Sequence, residues 1–281
     1  MSGPAIGSGD YSLGDSPSEL ERLRWQSARL ETMTRRFLGD AGILAGMRVL
    51  ELGCGPGDLT RLVAEIIGPR GEIVSVDRSP IMLANARQSL HGLQLASAQF
   101  IECDLATGLP EFDRPFDALV GRLILTHLRN PAEILRRALP QVRPEGLVAF
   151  QEADCTLSDY LLSLHREKLR LTHQVCEWIK LARSTSSISP NVGLHLYQIF
   201  RQAGLPAPAI YFHTEVYGGV CAPRIRNTIT IVRNLLPQLE CLGISAGEID
   251  IATLEERLIA ELASADVVQA FASIASAWAI K

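Results

Sequence analysis

Glycines at 53, 55 and 57, framed by Glu51 and Asp58, are the densest group of chemistry-bearing residues in this 281-residue chain. The stretch 49–60 reads VLELGCGPGDLT: Val49, Leu50 and Leu52 suit a buried strand, and the pattern resumes as a helix at Leu59. Between them the glycines admit backbone conformations closed to other residues and let a ligand approach the main chain without meeting a Cβ. Amides at the start of the following helix, with the positive end of its dipole, then face whatever fills the turn.

Two kinds of ligand use such a turn. A dinucleotide fingerprint requires G-x-G-x-x-G around a pyrophosphate. Here the spacing is G-x-G-x-G, and Asp58 stands at the third-glycine position. Its carboxylate repels a pyrophosphate, and Glu51 adds a second negative charge at the strand end. The site favours a ligand with a cationic middle, a description that S-adenosylmethionine fits through its sulfonium and ammonium groups. A nicotinamide-dependent oxidoreductase is the disfavoured alternative. Asp77 ends a second apolar run, 72–76, and lies 20 residues beyond Gly57, where a nucleotide fold places the acid that accepts from ribose hydroxyls.

The segment ELGCGPG resembles motif I of the class I S-adenosylmethionine-dependent methyltransferases, and the similarity extends over residues 48–217. It implies an α/β fold: a doubly wound, seven-stranded, mostly parallel sheet with an antiparallel last strand, plus an N-terminal helix and helical cap insertions. It assigns the ribose to Asp77, with Arg78 beside it, and the adenine amino group to Asp104, with the Leu105 amide at a ring nitrogen. Met82 suits the adenine edge, against ordinary core packing. Asp104 also reads as a loop-capping aspartate.

After the fourth strand, the D/N-P-P-Y/F quartet of nucleobase and glutamine methylation is absent. The segment 122–128, RLILTHL, instead resembles small-molecule methyltransferases of the ubiquinone-biosynthesis and natural-product type. Arg122 is expected at the cofactor carboxylate or holding its loop through carbonyls. His127 is a candidate general base or a loop-positioning histidine. Glu152, at the carboxyl end of the fifth strand, is a second base candidate. It and Asp154 read alternatively as caps for the next helix. Gln26 on the leading helix is a candidate for the cofactor's amino-acid end, and Tyr11, Tyr160, His173 and Trp178 for the acceptor side.

Positioning these residues falls to alternating strands and helices. Ser16, Pro17 and Glu19 mark a helix start, and the apolar positions continue until Gly39. Helices are expected to Ile67, after Ser79 as cap, and over 131–139; strands over 72–77, 99–103, 115–120 and up to Glu152. A single long helix is expected over 158–182, a helix over 192–203, a strand over 209–217, helices over 224–239 and 248–262, and an antiparallel edge strand at the tail. The domain division is 1–41 as arm and lid helix, 42–157 and 190–217 with 268–281 as cofactor-binding core, and 158–189 with 218–267 as helical cap.

Charge bounds the substrate. Lys and Arg number 27 against 31 Asp and Glu, a net −4 with basic residues scattered. Nucleic-acid binding demands a basic stripe, so a small-molecule acceptor is expected and no nucleic acid. The six cysteines form no C-x-x-C pair and read as free thiols without metal. The N-terminus lacks a secretion signal and no run reaches membrane-spanning length, which leaves cytoplasmic residence. A homodimer is compatible with the sequence. The functional expectation is methyl transfer to oxygen, nitrogen or electron-rich carbon of a secondary metabolite, with a non-catalytic cofactor-binding subunit as the rival.

Overall fold

The computed structural model describes residues 14, 16–91, 97–184, 189 and 191–281. Tyr11 lies outside the described residues. The chain divides into two compact units, one comprising Leu23–Ala153, Asn191–His213 and Ile274–Lys281, the other the described residues among 1–22, 154–190 and 214–273.

The first unit is a seven-stranded sheet built from β1 (Arg48–Leu52), β2 (Glu72–Asp77), β3 (Ser97–Glu102), β4 (Phe116–Arg122), β5 (Val142–Asp154), β6 (Ala209–His213) and the last strand, β9 (Ser273–Ile280). Its order is β3-β2-β1-β4-β5-β9-β6, with parallel pairing from β3 to β5 and antiparallel pairing of β6 with β9. The order reverses between β1 and β4, and the carboxyl ends of strands at such a reversal are the usual ligand position in an open α/β sheet.

Strands buried on both faces read as continuous apolar runs, and here successive residues feed two cores. Leu50, Leu52, Leu119, Val148 and Phe150 pack with α4 (Pro131–Ala138) and α7 (Val192–Ala203). Val49, Ala118, Val120, Leu147 and Ala149 pack with α1 (Pro17–Ala41) and α2 (Asp58–Ile67). Glu31, Arg35, Arg61 and Glu65 form a ring of ion pairs between α1 and α2, including Arg61 to Glu31 at 2.7 Å and Arg61 to Glu65 at 2.6 Å.

The second unit packs α5 (Thr156–Leu164), α6 (Arg170–Ser184), α8 (Ala222–Cys241), α9 (Ala246–Ile249) and α10 (Leu254–Ala265) beside a two-stranded antiparallel ribbon of β7 (Val216–Gly218) and β8 (Val268–Ala270). Its core gathers Trp178, Val175, Ile229, Val232, Leu239 and Leu258. Glu261 caps α6, accepting from the Leu171 and Thr172 amides at 2.6 and 2.8 Å. Among the described residues no helix is long and apolar enough to cross a membrane.

Five element boundaries depart from the sequence pattern. The leading helix passes through Gly39 and ends at Ala41, where Gly42 takes φ +97°; a glycine with helical dihedrals weakens a helix without ending it. The helix expected over 158–182 is two, α5 and α6, joined by a turn in which the Lys168 and Leu169 amides donate to the His165 carbonyl. That break explains why its apolar residues fit no single face. The strand expected over 209–217 divides between β6 and β7, in different sheets, and the helix expected over 248–262 divides into α9 and α10. The tail strand begins at Ser273 rather than 268 and lies between β5 and β6, so β6 holds the edge. Its near-complete burial, from Ser273 through Ala277, is that of an interior strand.

Candidate functional site

The glycine turn leaves β1 with all three glycines at positive φ: +66° at Gly53, +52° at Gly55 and +88° at Gly57. The Gly53 and Cys54 amides donate to the Val76 carbonyl at 2.8 and 3.1 Å, tying the turn to β2. What lies where a side chain would be differs sharply. A Cβ on Gly53 would overlap Ile124, and one on Gly57 would stand 2.9 Å from the backbone Cα of Ala86 on α3 (Pro80–Leu90). At Gly55 nothing lies within 4 Å.

Different effects of alanine follow from this contrast. Gly57→Ala, with a strained left-handed backbone and a clash against main chain that cannot yield, is expected to cost about 2 kcal/mol in urea unfolding. Gly55→Ala meets only the backbone strain, about 1–2 kcal/mol. Its methyl, however, projects into the open space, so ligand binding should suffer out of proportion to stability.

Asp77 bridges the turn and the next helix. Its Oδ2 accepts from the Gly55 amide at 2.8 Å and its Oδ1 from the Ser79 amide at 2.9 Å. A carboxylate has about four acceptor positions, so each oxygen keeps a lone pair for a diol. Capping of α3 belongs to Ser79, whose Oγ accepts from the Met82 amide at 3.3 Å. Arg78 is exposed, and Met82 is buried at the start of α3. Asp104 is exposed and closes its own loop, accepting from the Ala106 amide at 2.9 Å, while Leu105 belongs to the apolar core.

Glu51 is wholly buried. Thr60 and Ser75 hydroxyls both donate to its Oε2 at 2.6 Å, whereas Oε1 has no hydrogen-bond partner among the described residues. Burial pushes its carboxyl up to about 7, against the pull of those hydroxyls and of Arg122. Burial also raises Asp58, opposed by Arg122, Arg61, Arg24 and a bond from Ser27. Two acids whose ionised forms burial disfavours, beside an open turn, are what a cationic ligand would stabilise.

Arg122 finds hydroxyls in place of the expected carbonyls: Ser27 at 2.8 Å and Thr34 at 3.2 Å, both on α1. The Thr34 hydroxyl donates to Gln151 Oε1 at 2.8 Å, and Gln151 Nε2 donates to Ser276 at 2.9 Å. The network runs from the end of β4 through α1 to β5 and β9, and sequence reasoning missed Ser27, Thr34 and Gln151. The signal was present: positions 23, 27, 30, 34 and 37 form one stripe of α1, and its two hydroxyl residues are both buried. Gln26 is half-buried, one residue before Ser27.

The backbone after β4 turns sharply, with Leu123 at φ +57°, and a short 3₁₀ turn, Leu125–His127, follows. Glu152 is fully buried beneath it. Its Oε1 accepts from the Ile124 and Leu125 amides at 3.0 and 2.8 Å, and its Oε2 from Thr126 at 3.3 Å. Burial pushes its carboxyl up to about 8, with the three amides pulling the other way. Both of its oxygens accept from backbone and none of its surface is exposed, an arrangement that supports this turn. His127 stands at the end of the turn, half-buried. Asp154 accepts from the Thr156 amide at 3.0 Å and so caps α5. Elsewhere in the helical unit, Trp178 is 5% exposed within its core, Tyr160 is 58% exposed on α5, and His173 is half-buried on α6.

A reversal point in a doubly wound sheet, a turn of three left-handed glycines and an acid at the end of the adjacent strand define a nucleoside-binding α/β protein. Residues 43–204 match the family model described as "Methyltransferase domain", more than half of the chain, and the chain belongs to the class I S-adenosylmethionine-dependent methyltransferases. S-adenosylmethionine is the cofactor of this family, and the orphaned Oε1 of Glu51, the open face of Gly55 and the spare acceptor capacity of Asp77 fit it.

Among curated relatives, the ubiquinone/menaquinone biosynthesis C-methyltransferase UbiE of Ectopseudomonas mendocina is 35% identical over 45% of this chain and 50% of its own length. The trans-aconitate 2-methyltransferase of Rhizobium rhizogenes is 29% identical over 59% of this chain and 55% of its own. The chain thus spans about half the length of the curated relatives it matches. A SAM-dependent methyltransferase of Aquifex aeolicus shares the fold, with a TM-score of 0.52 at 17% identity over 70% of this chain and 91% of that one.

Proposed function

We propose that the chain transfers a methyl group from S-adenosylmethionine to a small-molecule acceptor. The observation that carries this reading is the glycine turn, open at Gly55 and bound through its amide to Asp77, with half-satisfied Glu51 behind it. When bound, the cofactor supplies an electrophilic methyl on a sulfonium. Asp77 would hold the ribose hydroxyls and the 53–57 turn would receive the amino-acid end near Glu51. Asp104 and Leu105 would serve the adenine, with Met82 beside them. Arg122, bonded to Ser27 and Thr34, holds α1 against the end of β4.

Displacement at a sulfonium methyl disperses charge and asks little covalent chemistry of the protein. Alignment with exclusion of water can contribute on the order of 7–11 kcal/mol. A base is needed only for an acceptor that is still protonated, and His127 is the proposed one. Tyr160, His173 and Trp178 are the proposed acceptor-side residues. The acceptor class includes phenols, indoles and quinols, in keeping with the C-methyltransferase relative, and carboxylic acids, in keeping with the trans-aconitate relative.

The test is transfer of an isotopically labelled methyl from S-adenosylmethionine to a panel of these compounds and of amines, alongside calorimetry with S-adenosylhomocysteine. Saturable binding together with a labelled product supports the reading. Binding without any product across the panel would favour a non-catalytic cofactor-binding subunit, and tight binding of a nicotinamide dinucleotide instead would overturn the cofactor.

A further inference from the structure

The turn after β4 is unusual in what it is folded around. Leu123 takes a left-handed conformation, which is uncommon for a residue with a branched side chain and persists where surrounding contacts over-determine it. The Leu123 amide donates to the Gln151 carbonyl at 2.8 Å, and the next three amides, Ile124, Leu125 and Thr126, all converge on the Glu152 carboxylate. Successive amides in a left-handed to right-handed turn make an anion-binding concavity. Here its occupant is a side chain of the neighbouring strand.

What the turn carries makes this matter beyond stability. Ile124 fills the space that side chains on Gly53 and Gly121 would otherwise take. Gly53 opens the cofactor turn, and Gly121 is next to Arg122 at the end of β4. The position of Ile124 is therefore fixed from one side by Glu152, through its amide, and sets the other side of the clearance at Gly53.

We propose that Glu152 is a positioning residue: its buried carboxyl group is the internal acceptor around which the 123–126 turn is folded, and through Ile124 it holds the cofactor turn at Gly53 in register. This rests on the cofactor reading above. Removing the carboxylate leaves three converging amides without an acceptor. Glu152→Gln keeps one oxygen for Ile124 and Leu125 but aims an NH₂ group at the Thr126 amide, a donor against a donor.

Two measurements test it: the Kd of S-adenosylhomocysteine by calorimetry, and amide hydrogen exchange resolved at 123–127. Glu152→Ala is expected to weaken binding at least tenfold and to speed exchange at 124–126 while the amides of β1 and β2 stay protected. Glu152→Gln should give a smaller loss of the same pattern. Formate, small enough to enter the vacated site, should restore both affinity and protection to Glu152→Ala where chloride at equal ionic strength does not, a rescue that a merely space-filling role would not show. Unchanged affinity and unchanged exchange at 124–126 in both variants would overturn the proposal. If the unaltered chain itself bound no S-adenosylhomocysteine, the cofactor reading would fall and take this proposal with it, whereas loss confined to the variants leaves that reading intact.

Discussion

Asp77→Ala should lower affinity for S-adenosylhomocysteine by at least a hundredfold, the largest single loss expected from any cofactor-side substitution. The side chain does two things at once. Its carboxylate holds the Gly55 amide at 2.8 Å and the Ser79 amide at 2.9 Å, so the open turn and the start of α3 share one anchor. Its remaining acceptor positions are those proposed for the ribose hydroxyls. Charge-assisted bonds are each worth about 1.5–3 kcal/mol when sheltered. Loss of two of them amounts to roughly 3–6 kcal/mol, which corresponds to between two and four powers of ten in Kd.

Asp77→Asn separates the two duties. Its carbonyl oxygen can keep one backbone amide, but its NH₂ cannot accept from the second amide or from a hydroxyl. Intermediate stability with affinity nearly as poor as that of the alanine variant would assign the larger share to the ligand. Calorimetry for binding and urea unfolding for stability read these separately. Wild-type affinity in Asp77→Ala would remove the ribose from this residue.

How much of the site is legible in the sequence depends on how local each determinant is. The glycine turn, the capping of α3 by Ser79 and the strand ending at Asp77 are each specified within a few residues by glycine freedom, a hydroxyl at a helix start and an apolar run, so pattern and structure agree. Ser27, Thr34 and Gln151 were not found because their meaning is set by a partner far along the chain, Arg122 or Ser276. Only the burial of two hydroxyl residues in the stripe of α1 hinted at it. The sequence places Glu152 at the carboxyl end of β5 and offers a base or a helix cap as its use. Nothing in the sequence states that three amides, 26 to 28 residues earlier, converge on it. Chain order suggests that the last element lies outermost, as an edge strand. The sheet instead admits it between β5 and β6, where its small residues, Ala275, Ser276 and Ala277, are fully buried.

Glu51 should make cofactor affinity and fold stability move in opposite directions with pH. In the folded chain its carboxyl is raised from 4.5 to about 7 by burial. Between those two values the folded protein holds a proton that the unfolded chain has released, so raising the pH favours unfolding. Below 4.5 both states are protonated and the residue exacts no penalty; above about 7 both are ionised and the penalty is complete, ~3 kcal/mol by linkage. Glu152, raised to about 8, adds a slope of the same sign that continues further up the scale.

A cation settling near the unpartnered Oε1 of Glu51 favours the ionised form, so binding should release a proton. Affinity for S-adenosylmethionine is accordingly expected to rise about tenfold between pH 6 and pH 8. Glu51→Gln tests both arms in one variant. It should unfold at higher urea concentration than the unaltered chain at pH 8, since no buried acid must ionise there, with the residual pH dependence belonging to Glu152. It should also bind the cofactor more weakly at pH 8 and with the pH slope gone. Calorimetry in two buffers of different ionisation enthalpy counts the released proton directly. A variant that gained stability yet kept the wild-type slope would show that the proton leaves some other group, Asp58 being a neighbouring acid that burial also raises.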